Sequence, residues 1–571
     1  MKYFKSHFPL ILIIAAFAWS SVVIATRRVA EVPKDALVIR IGHWQLEASV
    51  RQSINEVGKA FAADPRMKKK YGNRAIIVMQ DAIPEGAYGQ WITSQMMGET
   101  APDLVEIGNG LAAPIWLAYQ NRYFVSLSSM ADEPNPFNEG TALEGMPLRE
   151  TFTDAMRSGY VEELQQYMTV PFARATIRIF YNKELLRTLT GLEKPPTDFR
   201  GFLKVCQEIS EQKDGRGNFY TPIASSAYNM NMWQYGLFDS LTYANLRLAD
   251  FNRDGSVGND EFFAAMKTGA LSFDSPAVRI RLLVAREVMK YFQPGFTGLQ
   301  RDDAVFLFAQ QRAVFIPTGT WDAGSLVEQT KETFNVGVMD FPMPLPDDPE
   351  YGSVMLGPRF EDTRTGFPFG LTRFSKHPEV ARDFLLYVTS LKGNTQFNSI
   401  VGWIPSVRGA PLPPALKEFV PRSQGMYGCF NVELGGKTVV RWRQDYSKFQ
   451  SDPSFTFDDF KTDFSKFYLE HGLEDWKEQQ RDWRRTILKN EQQLSGARGA
   501  AMLDSGGEDS ALWVKYRSAV MSRQVMPEVS RAIQVRLVTE GPMRPSGPYE
   551  LLPEAAGVAG AQRGEGSGGA R

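Results

Sequence analysis

Residues 74–108, RAIIVMQDAIPEGAYGQWITSQMMGETAPDLVEIG, decide the fold. The β-branched opening reads as a buried strand, the middle carries helical apolar spacing, and PDLVEIG is a second strand. Upstream, ALVIRIGHWQ from Ala36 is a strand and Ser49 to Phe61 a helix. Downstream the alternation continues. LAAPIWLAYQNRYFVSL gives helix then strand, and ATIRIFYNKELL gives strand, turn and helix. PPTDFRGFLKVCQEISEQ starts a helix with Thr197 as its N-cap, and SPAVRIRLLVAREVMKYF is an amphipathic helix. In GFPFGLTRFSKHPEVARDFLLYVTS a strand precedes a helix that begins at Ser375, and NSIVGWIPSVRG is a loop with Trp403 at its tip. Strands alternating with helices of this length predict an α/β protein with mostly parallel pairing.

One segment interrupts that rhythm. Residues 241–269 read LTYANLRLADFNRDGSVGNDEFFAAMKTG. Asp250, Asn252, Asp254, Ser256 and Glu261 stand at positions 1, 3, 5, 7 and 12 of a calcium loop, with Gly255 at position 6 and Val257 at position 8. A hard dication takes about six to eight oxygens, and a tight loop can supply them only from alternate residues. Gly255 permits the turn, and Glu261 closes the shell from the first turn of an outgoing helix. An acidic surface turn is the plain alternative. Calcium is the expected ion.

The chain has 571 residues, with 64 basic against 65 acidic side chains, so its net charge gives a nucleic-acid role no support. Cys206 and Cys429 lack metal-type spacing and form at most one bridge, and four histidines leave little for a histidine-based metal site. Residues 1–28, MKYFKSHFPLILIIAAFAWSSVVIATRR, hold no charge between Lys5 and Arg27. This is a secretory signal peptide or an uncleaved membrane anchor. The missing small-x-small cleavage site favours the anchor, with the rest exported. Residues 429–540 are charged, aromatic and helical, an accessory region, and 541–571 have a disordered composition.

Taken in order, PDLVEIGNG, LAYQNRYFVSL, TVPFARATIRIFYNKELL, PPTDFRGFLKVCQEI, FAQQRAVFIPTGTW, VGVMDFPMP, GFPFGLTRFSKHPEVARDFLLYVTS and WIPSVRG resemble the family 1 extracellular solute-binding proteins of ABC importers, akin to maltose-binding protein. The resemblance spans Val38 to Arg408. It implies a periplasmic-binding-protein fold: two α/β lobes joined by crossing hinge strands, closing over a ligand. By that analogy residues 37–170 and 311–370 form lobe 1, and residues 171–310 and 371–428 form lobe 2. The calcium loop, 250–261, then sits in lobe 2 away from the cleft, where a metal is structural.

Sugars present apolar ring faces edged by hydroxyls, so their sites pair flat aromatics with a few directed polar groups. Trp44 follows the first strand, Trp321 follows AVFIPTGT, and Trp403 sits in GWIPS. Open α/β sheets place ligands at such junctions. Trp233, beside Asn229 and Asn231, is a fourth candidate, and Arg174 offers a planar fork for a hydroxyl or carboxylate. For each tryptophan the alternative is ordinary core packing; for Arg174 it is a surface or hinge salt bridge. Asn109 lies in GNGLAA, which fits a dinucleotide fingerprint but lacks the acidic residue that should follow a second strand. The resemblance makes that segment a cleft-lining loop. DSGGEDS at Asp504 lies in a polar stretch without a matched histidine.

These readings describe a non-enzymatic receptor that captures a carbohydrate or similar polyhydroxylated solute outside the cytoplasmic membrane and hands it to an ABC permease. The rivals are an exported calcium-dependent polysaccharide-acting enzyme and a surface adhesion or scaffold protein on the same fold. Because the calcium loop is placed off the cleft, a chelator is expected to lower the melting temperature without abolishing solute binding; a thermal-shift series with and without EDTA checks this.

Overall fold

The computed structural model describes Trp19, Pro33 and residues 35–517, apart from 109, 162–163, 165, 254, 362–363, 423–424, 508–509, 511 and 514–515. The proposed N-terminal anchor (Trp19 excepted), the tail 541–571, Asn109 and Asp254 therefore lie outside the described residues. Among the described residues, no helix is long and apolar enough to cross a membrane.

In chain order the main strands are β1 (Leu37–His43), β2 (Ile76–Ala82), β3 (Leu104–Glu106), β4 (Val170–Ala175), β5 (Ile177–Asn182), β6 (Thr221–Ile223), β7 (Ala313–Gly319), β8 (Val336–Met339), β9 (Arg364–Leu371) and β10 (Ile404–Pro405). They form two main sheets. The first runs β10-β4-β9-β3-β1-β2 and the second β8-β5-β7-β6. β1 pairs in parallel with β2 and β3, and β6 with β7, while the other pairs are antiparallel. The expectation of mostly parallel sheets is thus corrected. Strands that cross between the two bodies enter each sheet against the direction of the local βαβ units.

Each sheet anchors its own lobe. β1 alternates, burying Leu37, Ile39 and Ile41. Helix Ala48–Ala63 buries Val50, Ile54, Val57 and Phe61, one stripe at helical spacing, against the same core. In the second lobe, helix Phe199–Ser210 buries Phe199, Phe202, Val205, Cys206 and Ile209. Its N-cap is Asp198, which accepts from the Gly201 N–H at 2.7 Å, one residue beyond the expected Thr197. The later helix likewise begins at Pro378 rather than Ser375, whose hydroxyl donates to Asp103 instead.

The sheets also redraw the lobe boundaries. Residues 313–339 belong to lobe 2, because β7 and β8 flank β5, with Phe180 opposite Ile316 and Val338. Helices Pro378–Val388 and Leu391–Val401 belong to lobe 1, where Val380, Phe384, Phe397 and Val401 meet the core under β1. Sequence order alone had assigned these two segments the other way round. The chain crosses between the lobes at Thr176, between β4 and β5, again as it enters β9, and a third time after β10.

The accessory region shares a core with lobe 2. Helix Phe457–Met502, 46 residues and so about 70 Å long, lies on helix Gly436–Ser451. Phe262 and Phe263, from the helix after loop 250–261, share one core with Phe430, Trp442, Tyr468 and Trp476. The loop thereby joins lobe 2 to the accessory helices. Cys206 and Cys429 are both free and buried, in different cores.

His43, at the end of β1, is fully buried and meets Gln80 Oε1 at 3.1 Å. Burial lowers its pKa to about 4, against partial restoration by Gln80. A histidine held below its unfolded value near 6.5 contributes stability that is complete above that value and lost as pH falls toward 4. Denaturant titrations between pH 7 and 4 should show a loss of order 3 kcal/mol from this group, and His43→Gln should flatten that part of the profile.

Candidate ligand-binding cleft

Between the two sheets lies a cleft of about 580 Å³. Strand ends build it. Trp44 and Gln45 follow β1, Glu106 ends β3, Arg174 to Ile177 span the first crossing, and Trp321 stands in the first turn after β7. Tyr228 and Asn231 come from helix Ala227–Trp233, and β9 supplies Gly366 to Pro368. Four of the six expected ligand contacts, Trp44, Arg174, Trp321 and Trp403, line this space.

Their surroundings differ. The backbone N–H of Trp44 donates to Glu106 Oε2 at 3.3 Å, and its ring meets the buried Tyr88 edge-on at 5.1 Å. Trp321 packs against the cores of both lobes and lies 6.4 Å from Tyr228. Gly319 makes this placement possible, since a Cβ there would come within 2.3 Å of the indole. The Trp321 Nε1–H is buried without an acceptor, and so is the Nε–H of Arg174. Trp403 reaches the cleft but is only 5% exposed, held by Phe367 at 5.3 Å. It follows a helix that ends at the left-handed Gly402, so it is not at a loop tip.

Trp233 is a correction. It is fully buried in the lobe 2 core among Phe202, Phe238 and Phe341, and it faces no cleft. Its helix turns its polar side, Asn231, toward the opening instead. Asn109 itself is outside the described residues. Its neighbour Gly108 lines the cleft, and the loop is held by the close approach of Gly110 to Gly89, where a Cβ on Gly89 would meet the Gly110 carbonyl at 1.9 Å.

Apart from Arg174, the cleft's charges were not foreseen from the sequence. Arg301 contacts Asp322 at 2.9 Å in its own lobe, and Glu47 at 3.2 Å and Glu85 at 3.8 Å across the gap. Burial works against the Arg301 charge, but these carboxylates outweigh it and hold its pKa above the usual arginine value. Burial pushes Asp322 up, with Arg301 opposing. Glu106 is 1% exposed, and burial raises its pKa well above the usual carboxylate range despite N–H bonds from Gln45 and Trp44. Glu361 is committed to Arg178 and Arg422. Only Glu106 left a trace in the sequence, as a carboxylate inside the apolar run PDLVEIG; the Arg301 cluster joins residues up to 275 positions apart and left none.

The loop 250–261 lies outside the cleft lining. Gly255 has φ 84°, and its N–H donates to Asp250 Oδ2 at 3.1 Å. Glu261 is 2% exposed and folds back over the loop, accepting from the N–H groups of Phe251 at 3.1 Å, Asn252 at 3.2 Å and Gly258 at 3.0 Å. Among the described residues no three Asp, Glu, His or Cys side chains gather closely enough to hold a metal alone. Asn252 and Ser256 offer the loop further oxygen donors beside Asp250 and Glu261, the all-oxygen kind of set a hard divalent cation would take.

Two α/β lobes, crossing strands and an aromatic-lined cleft between them define a two-lobed solute receptor. The chain belongs to the bacterial extracellular solute-binding protein family, whose model matches residues 48–395. It is 23% identical over 283 residues to a multiple sugar-binding protein of Streptococcus mutans, covering 47% of this chain but only 60% of that relative. It is 21% identical over 393 residues to an uncharacterized ABC transporter extracellular-binding protein of Pyrococcus horikoshii, covering 66% of this chain and 73% of that one. Among solved structures it is similar to the bacterial solute receptor AcbH, described as exclusively preferring β-D-galactopyranose, with TM-score 0.52, 15% identity and coverage of 77% and 99%. A structure from work on xylan utilization by Caldanaerobius polysaccharolyticus gives 0.50, 16%, 76% and 99%. At such identities the structural likeness shows the fold.

Two outcomes follow from the cleft. Replacing Arg301 leaves Glu47 and Asp322 facing each other without a cation. Arg301→Met should therefore cost about 3 kcal/mol and open the lobes, seen as a larger radius of gyration in small-angle scattering. Trp233→Ala should cost about 3–5 kcal/mol by cavity formation in chemical denaturation while leaving the scattering profile of the folded protein unchanged.

Proposed function

We propose that this protein captures a carbohydrate or similar polyhydroxylated solute in the cleft and delivers it to an ABC permease outside the cytoplasmic membrane. One observation carries the reading. Two buried N–H donors, Trp321 Nε1 and Arg174 Nε, lack acceptors at a cleft walled by indole rings from both lobes. Buried donors are nearly always paired, so an oxygen-bearing ligand is the natural partner. Hydroxyls satisfy such donors while a sugar's apolar face covers the rings. The sugar-binding description of the Streptococcus relative and the galactopyranose preference stated for AcbH support the same solute class.

The mechanism is population shift. A solute that touches both lobes only when they are closed favours closure by its difference in affinity for the two states. The Arg301 cluster spans the same gap and adds to the closed form's stability. Calcium in the loop 250–261, held by Asp250, Asn252, Asp254, Ser256 and Glu261, would brace the joint between lobe 2 and the accessory helices. Residues 1–28, as an anchor, would keep the receptor near its permease and raise its effective concentration there.

A thermal-shift screen of mono- and oligosaccharides on the purified protein, followed by calorimetry, tests this. A ligand at one hundred times its Kd stabilises by about 2.7 kcal/mol. The expected result is stoichiometric binding without product formation, weakened at least tenfold in Trp321→Ala. Turnover of the saccharide, or unchanged affinity in that variant, would contradict the reading.

A further inference from the structure

A second cavity, of about 950 Å³, lies between lobe 2 and the accessory helices. It shares Asn231 and Tyr235 with the cleft but none of the cleft's tryptophans. Arg281, on helix Pro276–Met289, stands in its wall and is 1% exposed. The guanidinium lies over the Phe430 ring, 4.1 Å from its centroid, so its flat face is covered. Its edge is not. Nε and Nη1 are buried without a hydrogen-bond partner, and no carboxylate among the described residues forms an ion pair with Arg281. A cation taken out of water with neither counter-charge nor acceptors is among the costliest arrangements in a folded chain.

The rest of the wall narrows what could complete it. Tyr446 stacks on Trp442, centroids 4.6 Å apart, and its buried hydroxyl also lacks a partner. Asn431 and Gln450 add neutral amides. Glu433 and Arg443 also line the cavity but pair with each other at 3.4 Å, leaving Arg281 as the unbalanced charge. We propose that this cavity is a second binding site, taking a carboxylate carried on a sugar-sized ring. Nη2 together with either Nε or Nη1 makes an edge that matches two carboxylate oxygens. One unbalanced positive charge suits a monoanion better than a phosphate monoester, which carries nearly two. The rims of the stacked Trp442 and Tyr446 rings add apolar wall beside it. This site does not depend on the cleft's solute.

Calorimetry of the full chain with D-glucuronate, D-glucose and inorganic phosphate tests it. Glucuronate should bind with unit stoichiometry, at least tenfold more tightly than either comparator. Arg281→Met should weaken it at least tenfold, Tyr446→Phe severalfold, and the cleft variant Trp321→Ala not at all. If Arg281→Met does not fold, Tyr446→Phe and Gln450→Leu decide, since both keep the buried cation; unchanged affinity in both overturns the proposal. So does no glucuronate binding, tighter binding of phosphate or glucose, retained affinity in Arg281→Met, or loss in Trp321→Ala.

Discussion

The cleft exists because one strand pair changes sheets in a single residue. β4 ends at Ala175 in the first sheet and β5 begins at Ile177 in the second. Thr176, between them, is fastened on two sides. Its hydroxyl donates to the Phe419 carbonyl at 2.8 Å, and its own carbonyl accepts from the Thr320 N–H at 2.9 Å. Arg174, just before Thr176 in the chain, and Trp321, next to the Thr320 bonded to it, therefore both sit at the crossing. Hinges of this kind absorb φ/ψ change at a few positions while packed cores stay rigid.

Around that crossing, the two lobes are held by forces of different character. Apolar cores stabilise each body separately, with Phe61 and Phe384 in one and Phe202 and Phe315 in the other. Between them stands an ion cluster, Arg301 with Glu47, Glu85 and Asp322, and one indole, Trp321, that touches both cores. Charged contacts across a gap can be exchanged for water more readily than a fused hydrophobic core, which suits a cleft that opens. The accessory helices show the opposite choice. They are joined to the helix after loop 250–261 through Phe262, Phe263, Trp442 and Trp476, which share one aromatic core.

Local chemistry was legible in the sequence, and long-range pairing was not. The strand runs at Leu37 and Ile177 and the amphipathic helices at Ala48 and Pro276 announce themselves by period alone. Trp321 was recognisable because a strand ran directly into it. Lobe membership was misassigned for 313–339 and for the helices after Pro378, because a crossing strand reads like any other strand and nothing local says which sheet it joins. Trp233 looked like Trp321 in composition, but its helix buries it against Phe341, a choice made by tertiary packing. Arg301 and Arg281 carry no motif. Their meaning comes from what faces them, at Glu47 and Phe430 respectively.

The central claim is that the lobes move as bodies about Thr176 to grip a solute between them. Spin labels at exposed Gln52→Cys in lobe 1 and Glu328→Cys in lobe 2, with the two native cysteines buried, measure that directly by pulsed electron resonance. Adding a mixture of oligosaccharides should shorten and narrow the interlabel distance distribution. A distribution that stays unchanged while the saccharide demonstrably binds would contradict the account.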